Sequence, residues 1–166
     1  MNTPVRPNGA IEPVVVPDPV VRRRPDDDGR DEHPMEECGV IGISTPHGDG
    51  VAEMTFFGLF ALQHRGQEAA GIAVSDGHRA RLHKDEGLVA TVFRPGVLAP
   101  LAGYHSIGHT RYSTTGSNAQ RNIQPFLVET MHGPLAVAHN GNIVNASSLR
   151  DELLNKGFGL TATSDT

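Results

Sequence analysis

Apolar residues are unevenly spread along the 166 positions. Through residue 37 the runs are Val14-Val15-Val16 and Val20-Val21, both short and hemmed in by proline, which rules out central strands. From Gly39 the pattern becomes regular. Gly39 to Ser44, with β-branched Val40, Ile41 and Ile43, predicts a first strand. Thr45 to Gly50 reads as a loop from its Pro and Gly content. Val51 to His64 predicts a helix with Gly66 as its stop, and Met54, Phe56, Phe57, Leu59, Phe60 and Leu62 make it apolar on most sides, so it is expected to be largely buried. Ala69 to Val74 and Arg79 to Lys84 read as two strands joined at the hairpin signal Asp76-Gly77.

Further along, Leu88 to Phe93 predicts a short helix broken by Arg94-Pro95-Gly96, and Val97 to Leu101 a loop or single turn. Ser106 to Arg111 predicts a strand running into the polar loop Tyr112 to Asn118, a common setting for ligand contacts. Phe126 to Thr130 and Leu135 to His139 read as strands about a His132-Gly133 turn. A helix capped by Asn145 or Ser147 then runs through Leu153 and Leu154 to Lys156-Gly157. Hairpins beside a buried helix suggest a sheet covered on one face by helices.

Composition changes the picture mainly for residues 1–37. Seven of the twelve prolines lie there, with Arg22-Arg23-Arg24 cancelled by Asp26-Asp27-Asp28. Such a stretch buries too little apolar surface to offset its ordering entropy, so it reads as a solvated, disordered leader, compatible with a removable propeptide. The net charge of −5 gives no reason to expect nucleic acid or an anionic membrane as partner. No apolar run approaches the ~20 residues of a membrane span. One cysteine cannot make an internal disulfide, which suits a reducing cytoplasm.

That cysteine, Cys38, sits where the leader gives way to the first strand. With the leader removed it would carry a thiol and a free α-amine on one residue. A thiolate is a strong nucleophile, and an α-amine titrating near pH ~8 can take its proton. Taken alone, Cys38 reads first as a small buried apolar residue at a strand start, and the motifs that follow reverse that order. Arg111 offers a planar fork for a carboxylate or phosphate. Asn140-Gly141 pairs an amide donor with a closely approachable backbone N–H, the makings of an oxyanion hole, and also reads as a plain Asn-Gly turn. His105 and His109, four apart on a strand, share a face but lie too far apart for one tetrahedral metal site.

Five ordered motifs carry a resemblance. They are Cys38 to Gly42, Gln63-His64-Arg65-Gly66-Gln67-Glu68-Ala69-Ala70-Gly71-Ile72, Gly108-His109-Thr110-Arg111-Tyr112-Ser113-Thr114, His139-Asn140-Gly141-Asn142 and Ser164-Asp165-Thr166. Their order and spacing resemble the glutaminase domain of class II glutamine amidotransferases, the N-terminal nucleophile hydrolases with a cysteine. The second and third motifs resemble the amidophosphoribosyltransferase branch in particular. Relatives of the glucosamine-6-phosphate synthase kind, which tend to show other residues there, remain the alternative within the family. The resemblance covers residues 38–166.

It implies an α+β fold, a four-layer αββα sandwich, incomplete at the C-terminus. It implies Cys38 as nucleophile, Asn140 and Gly141 as oxyanion hole, Arg111 on the substrate α-carboxylate and Asp165 on its α-ammonium. Arg65 and Gly66 would pack beside the nucleophile, and Tyr112 and Thr114 would line the pocket. Glutamine would yield glutamate and ammonia, which the full-length enzyme passes to phosphoribosyl pyrophosphate in the first step of purine synthesis. The family is homo-oligomeric. Its phosphoribosyltransferase domain, the magnesium site and, in some members, an iron–sulfur cluster would lie outside this chain, so no cofactor is expected within it and truncation is expected. A non-catalytic fragment or interaction module is the competing expectation.

Overall fold

The computed structural model describes residues 38–48, 50–112 and 120–165. The leader, residues 1–37, and most of the polar loop, including Thr114, lie outside the described residues. The elements are β1 (Gly39–Ser44), α1 (Val51–Ala61), β2 (Ala69–Ser75), β3 (Ala80–Glu86), α2 (Val89–Val92), β4 (His105–Arg111), β5 (Phe126–Thr130), β6 (Gly133–Val137) and α3 (Ala146–Asn155).

Four strands form an antiparallel sheet in the order β1-β4-β2-β3, so β1 and β3 are its edges. Side chains alternate between its faces. Register sets Ile41, Gly108, Ile72 and His83 in one cross-strand row, and Val40, His109, Gly71 and Lys84 in the next, on the opposite face. The first face carries the helices. Val51, Ala52 and Leu59 of α1, Val89 and Val92 of α2, and Phe93 close over Ala70, Ile72 and Val74. Each fully buried aliphatic side chain of this kind contributes about 2 kcal/mol by leaving water. Thr55, buried in α1, hydrogen-bonds the Val51 carbonyl at 2.8 Å and also the Ser106 hydroxyl of β4, so its polarity is satisfied.

The second face meets the hairpin β5–β6 and the segment leading into it. A cleft of about 160 Å³ between the layers is lined by Ala73, Ser75, His105, Ile107, Pro134 and Ala136. Contact is closest at Gly71: a Cβ there would collide with the Gln124 carbonyl and lie 2.8 Å from Pro125 Cδ. Only glycine lets the second layer settle so near β2. The architecture is α+β with layers in the order helix, sheet, sheet, in keeping with the expected αββα sandwich.

Several expectations need correction. α1 ends at Ala61, and Gln63–Arg65 form a tighter 3-10 turn. The helix is not largely buried either: Phe57 is 67% and Phe60 55% exposed. A single helix can lay only one stripe on one sheet, whatever its sequence offers on the other sides. β6 stops at Val137, freeing Ala138 and His139 to turn away. Asn145 occupies the N-cap of α3 but makes no side-chain capping bond, and no residue of α3 is buried. No helix among the described residues is long and apolar enough to cross a membrane.

Candidate active site

Cys38 stands immediately before the first ladder residue and is half-buried rather than sunk among hydrocarbon. Its Sγ lies 3.6 Å from the Tyr112 carbonyl oxygen, a weak S–H donation. Its own carbonyl accepts from Arg65 Nε at 3.3 Å. The next residue is fixed as well, because the Gly39 N–H donates to Thr110 Oγ1 at 3.2 Å. β4 thus holds the nucleophile candidate through Thr110 and the residue just beyond Arg111.

The 3-10 turn brings Arg65 in. Gln63 Nε2 donates to the Gly66 carbonyl, and Gln63 Oε1 accepts from Val89 N–H at 2.6 Å, which locks the turn against α2. Gly66 is extended, with φ −157°, so it is not a left-handed helix stop. Its requirement is space: a Cβ would sit 2.7 Å from the Thr110 carbonyl carbon and 2.8 Å from the Arg111 backbone. The Glu68 N–H then donates to the Arg111 carbonyl at 3.1 Å. Cys38, Arg65, Gly66, Arg111 and Tyr112 are therefore one cluster, built from the start of β1, the turn after α1 and the end of β4. Arg111 also borders a small depression with Glu68, Ala69, Glu86 and Ile123.

A second cluster forms where β6 ends. His139 N–H donates to Gln124 Oε1 at 2.6 Å. Asn140 and Gly141 follow, both exposed. Asp165 Oδ2 accepts from the Ile143 N–H at 2.7 Å, which ties the last described residue to the segment just after the Asn-Gly bend. A carboxylate has further lone pairs, so this bond does not exhaust Asp165 as a cation partner.

His109 lies between the clusters. It is completely buried, and among the described residues neither ring nitrogen has a hydrogen-bond partner. Burial pushes its pKa down to about 4; the His139 backbone opposes this, and the charges of Arg111 and His139 reinforce it. His105, by contrast, is exposed and bonds Ser44 Oγ through Nδ1 at 2.9 Å. Among the described residues no group of three or more His, Cys, Asp or Glu is placed to hold a metal.

The His109 environment has a consequence for stability. Between pH 6.5 and about 4 the unfolded chain binds a proton there that the folded chain does not. Stability is full above pH 6.5 and falls as the medium is acidified toward pH 4, with about 2 kcal/mol of the difference between pH 7 and pH 4.5 due to this residue. Denaturant unfolding of His109→Phe at both values should show that difference shrunk by about this amount. An undiminished pH dependence would place its origin elsewhere.

Asn122 and Gln124, both buried, carried no sequence signal of function, yet each bonds one arm of the second cluster. They lie two apart beside a proline, outside any periodic pattern, and the Asn-x-Gln-Pro run was the only cue.

Known proteins resemble this chain closely. A family described as a glutamine amidotransferase domain matches residues 109–166. The amidophosphoribosyltransferase of Synechococcus elongatus is 57% identical over 137 residues, covering 82% of this chain and 28% of that protein. That of Methanocaldococcus jannaschii is 50% identical over 129 residues, covering 78% and 27%. Among solved structures, an allosteric regulatory enzyme of purine biosynthesis superposes with a TM-score of 0.71 at 44% identity, covering 76% of this chain and 27% of the other. The glutamine phosphoribosylpyrophosphate amidotransferase of Bacillus subtilis, complexed with ADP and GMP, gives 0.65 at 42% identity, covering 78% and 27%. The chain spans less than a third of the length of these relatives. With the start of β1, the turn after α1 and the end of β4 meeting at Cys38, and with this degree of identity, the chain belongs to the glutamine amidotransferase family and corresponds to the N-terminal region of amidophosphoribosyltransferases.

Proposed function

We propose that this chain is the glutamine-hydrolysing part of an amidophosphoribosyltransferase, with Cys38 as nucleophile once residues 1–37 are removed. The observation that carries the reading is the placement of Cys38: half-buried, one residue outside the ladder, its carbonyl held by Arg65 and its sulfur against the Tyr112 backbone. The new α-amine takes the thiol proton, and the sulfur attacks the side-chain amide carbon of glutamine. Charge on the amide oxygen is met by the Asn140 amide and the Gly141 N–H. The carbon–nitrogen bond breaks, the nitrogen leaves as ammonia with the relayed proton, and a thioester remains. Water attacks the thioester, the sulfur departs as thiolate, and glutamate is released.

Arg111 and Asp165 supply the two opposite charges that a free amino acid needs for recognition. Arg65, Gly66 and Tyr112 shape the pocket wall, a role that the family resemblance extends to Thr114. In the longer protein the ammonia passes to phosphoribosyl pyrophosphate, giving 5-phosphoribosylamine at a magnesium-dependent site supplied by a further domain. An iron–sulfur cluster of the four-thiolate kind does not fit this chain, which has one cysteine, so no step here runs through one. A single free thiol fits a cytoplasmic setting, and the working enzyme is a homo-oligomer.

The decisive comparison is between the chain starting at Met1 and the chain starting at Cys38. Only the latter should release ammonia from glutamine, and N-terminal sequencing of active preparations should begin at Cys38. Equal activity with the leader attached would remove the α-amine from the mechanism and require a different base, and no ammonia from either chain would leave the non-catalytic alternative. Arg111→Ala should raise the glutamine KM roughly 10- to 100-fold, the size of a lost charge-assisted hydrogen-bond pair, while kcat moves much less. An unchanged KM would take Arg111 out of the substrate site.

A further inference from the structure

We infer that Asn122 and Gln124 are positioning residues, each holding a different arm of the glutamine site: Asn122 the arm that ends in Asp165, Gln124 the arm that bears Asn140 and Gly141. The inference rests on the glutaminase reading above.

The geometry separates the two roles. Asn122 is 5% exposed and makes a reciprocal pair with Thr163. Its Nδ2 donates to Thr163 Oγ1 at 2.8 Å, and its Oδ1 accepts from the Thr163 N–H at 2.9 Å. Only an amide offers a donor and an acceptor side by side for such a pair. Thr163 lies two residues before Asp165, so this pair fixes the backbone that delivers the carboxylate. Gln124 is 8% exposed, and its Oε1 accepts from the His139 N–H at 2.6 Å. His139 directly precedes the Asn-Gly bend, and its Nε2 stands 2.7 Å from where a Gly141 Cβ would be. Gln124 thereby sets the backbone and the ring on which the bend rests.

The segment between them is itself anchored. Lys84 of β3 donates to the Ile123 carbonyl and, at 3.2 Å, to that of Pro125, and its ammonium lies 5.1 Å from the centre of the Phe126 ring. Ile123 is 1% exposed. On the other side the Gln124 carbonyl rests against Gly71. A backbone clamped to β2 and β3 turns two amide side chains into fixed struts. A site must hold its groups within a fraction of an ångström, which is the purpose such buried bonds serve.

Glutamine kinetics and amide hydrogen exchange, measured on the chain beginning at Cys38, test this. Asn122→Ala should raise the glutamine KM roughly tenfold and leave kcat within about threefold, because the α-ammonium is bound equally in ground and transition states. Gln124→Met should lower kcat roughly tenfold with KM nearly unchanged, because the oxyanion exists only after attack. Gln124→Glu, which keeps an oxygen for His139, should recover most of the lost kcat. Exchange should quicken at Thr163 in Asn122→Ala and at His139 in Gln124→Met, without cross effects.

Proportional loss of kcat and KM at both positions, or Gln124→Glu no better than Gln124→Met, overturns the inference. If the truncating variants do not fold, Asn122→Asp and Gln124→Glu differ from the parent by one atom each. Asn122→Asp, stripped of its donor, should still raise KM, and an unchanged KM there overturns the inference. If the parent chain releases no ammonia, the glutaminase reading fails by itself, and the exchange pattern still decides whether each amide holds its own arm.

Discussion

Cys38→Ala should abolish glutamine hydrolysis in the chain that begins at residue 38, on the order of 10⁶-fold, the loss that removing the nucleophile costs a serine protease. The fold should survive the change. Cys38 lies outside the ladder, is half-exposed, and its side chain makes one weak bond, to the Tyr112 carbonyl. The neighbouring anchors, Gly39 N–H on Thr110 and Arg65 on the Cys38 carbonyl, involve backbone or other side chains and remain. The denaturant midpoint should therefore move little, so that lost ammonia release reports chemistry and not unfolding. Full turnover in the alanine variant would end the proposal that this sulfur attacks the amide.

Asn140→Ala should lower kcat by ~10²–10³ with a small change in KM, the usual cost of one oxyanion donor. Asn140 is exposed, and the bend around it is held by the bonds of its neighbours His139 and Ile143. Truncating its side chain leaves both in place, so the loss should not come from misplacement of the bend. A kcat within a few-fold of the parent would mean that Asn140-Gly141 is the plain turn that these two residues by themselves favour. Steady-state kinetics on matched, folded preparations separates the two results.

Much of the four-stranded sheet was legible in advance, for local reasons. The β-branched run from Gly39 to Ser44 matches β1 residue for residue. Asp76-Gly77 forms the expected hairpin connection, with Gly77 at φ 88° and Asp76 Oδ1 accepting from the His78 and Arg79 N–H groups. What was not legible depends on partners distant in sequence. The apolar girth of α1 suggested burial on most sides, whereas one sheet face covers one stripe and leaves Phe57 and Phe60 in solvent. Gly66 looked like a helix stop and is instead a contact with the β4 backbone.

The site divides in the same way. Cys38, Arg65, Gly66, Arg111 and Tyr112 were singled out as separate stretches, and the structure brings them together through β4. The row that places His109 opposite Gly71 and Lys84 follows from register, and register cannot be read before the pairing is known. The same row determines where the second layer rests, hence the importance of Asn122 and Gln124.

Strand β1 occupies the margin of its sheet, bonded along one side to β4. Among the described residues, that single seam of hydrogen bonds begins at Gly39, one residue after Cys38. The cut proposed before Cys38 would break none of these ladder bonds, so that maturation would follow folding instead of competing with it.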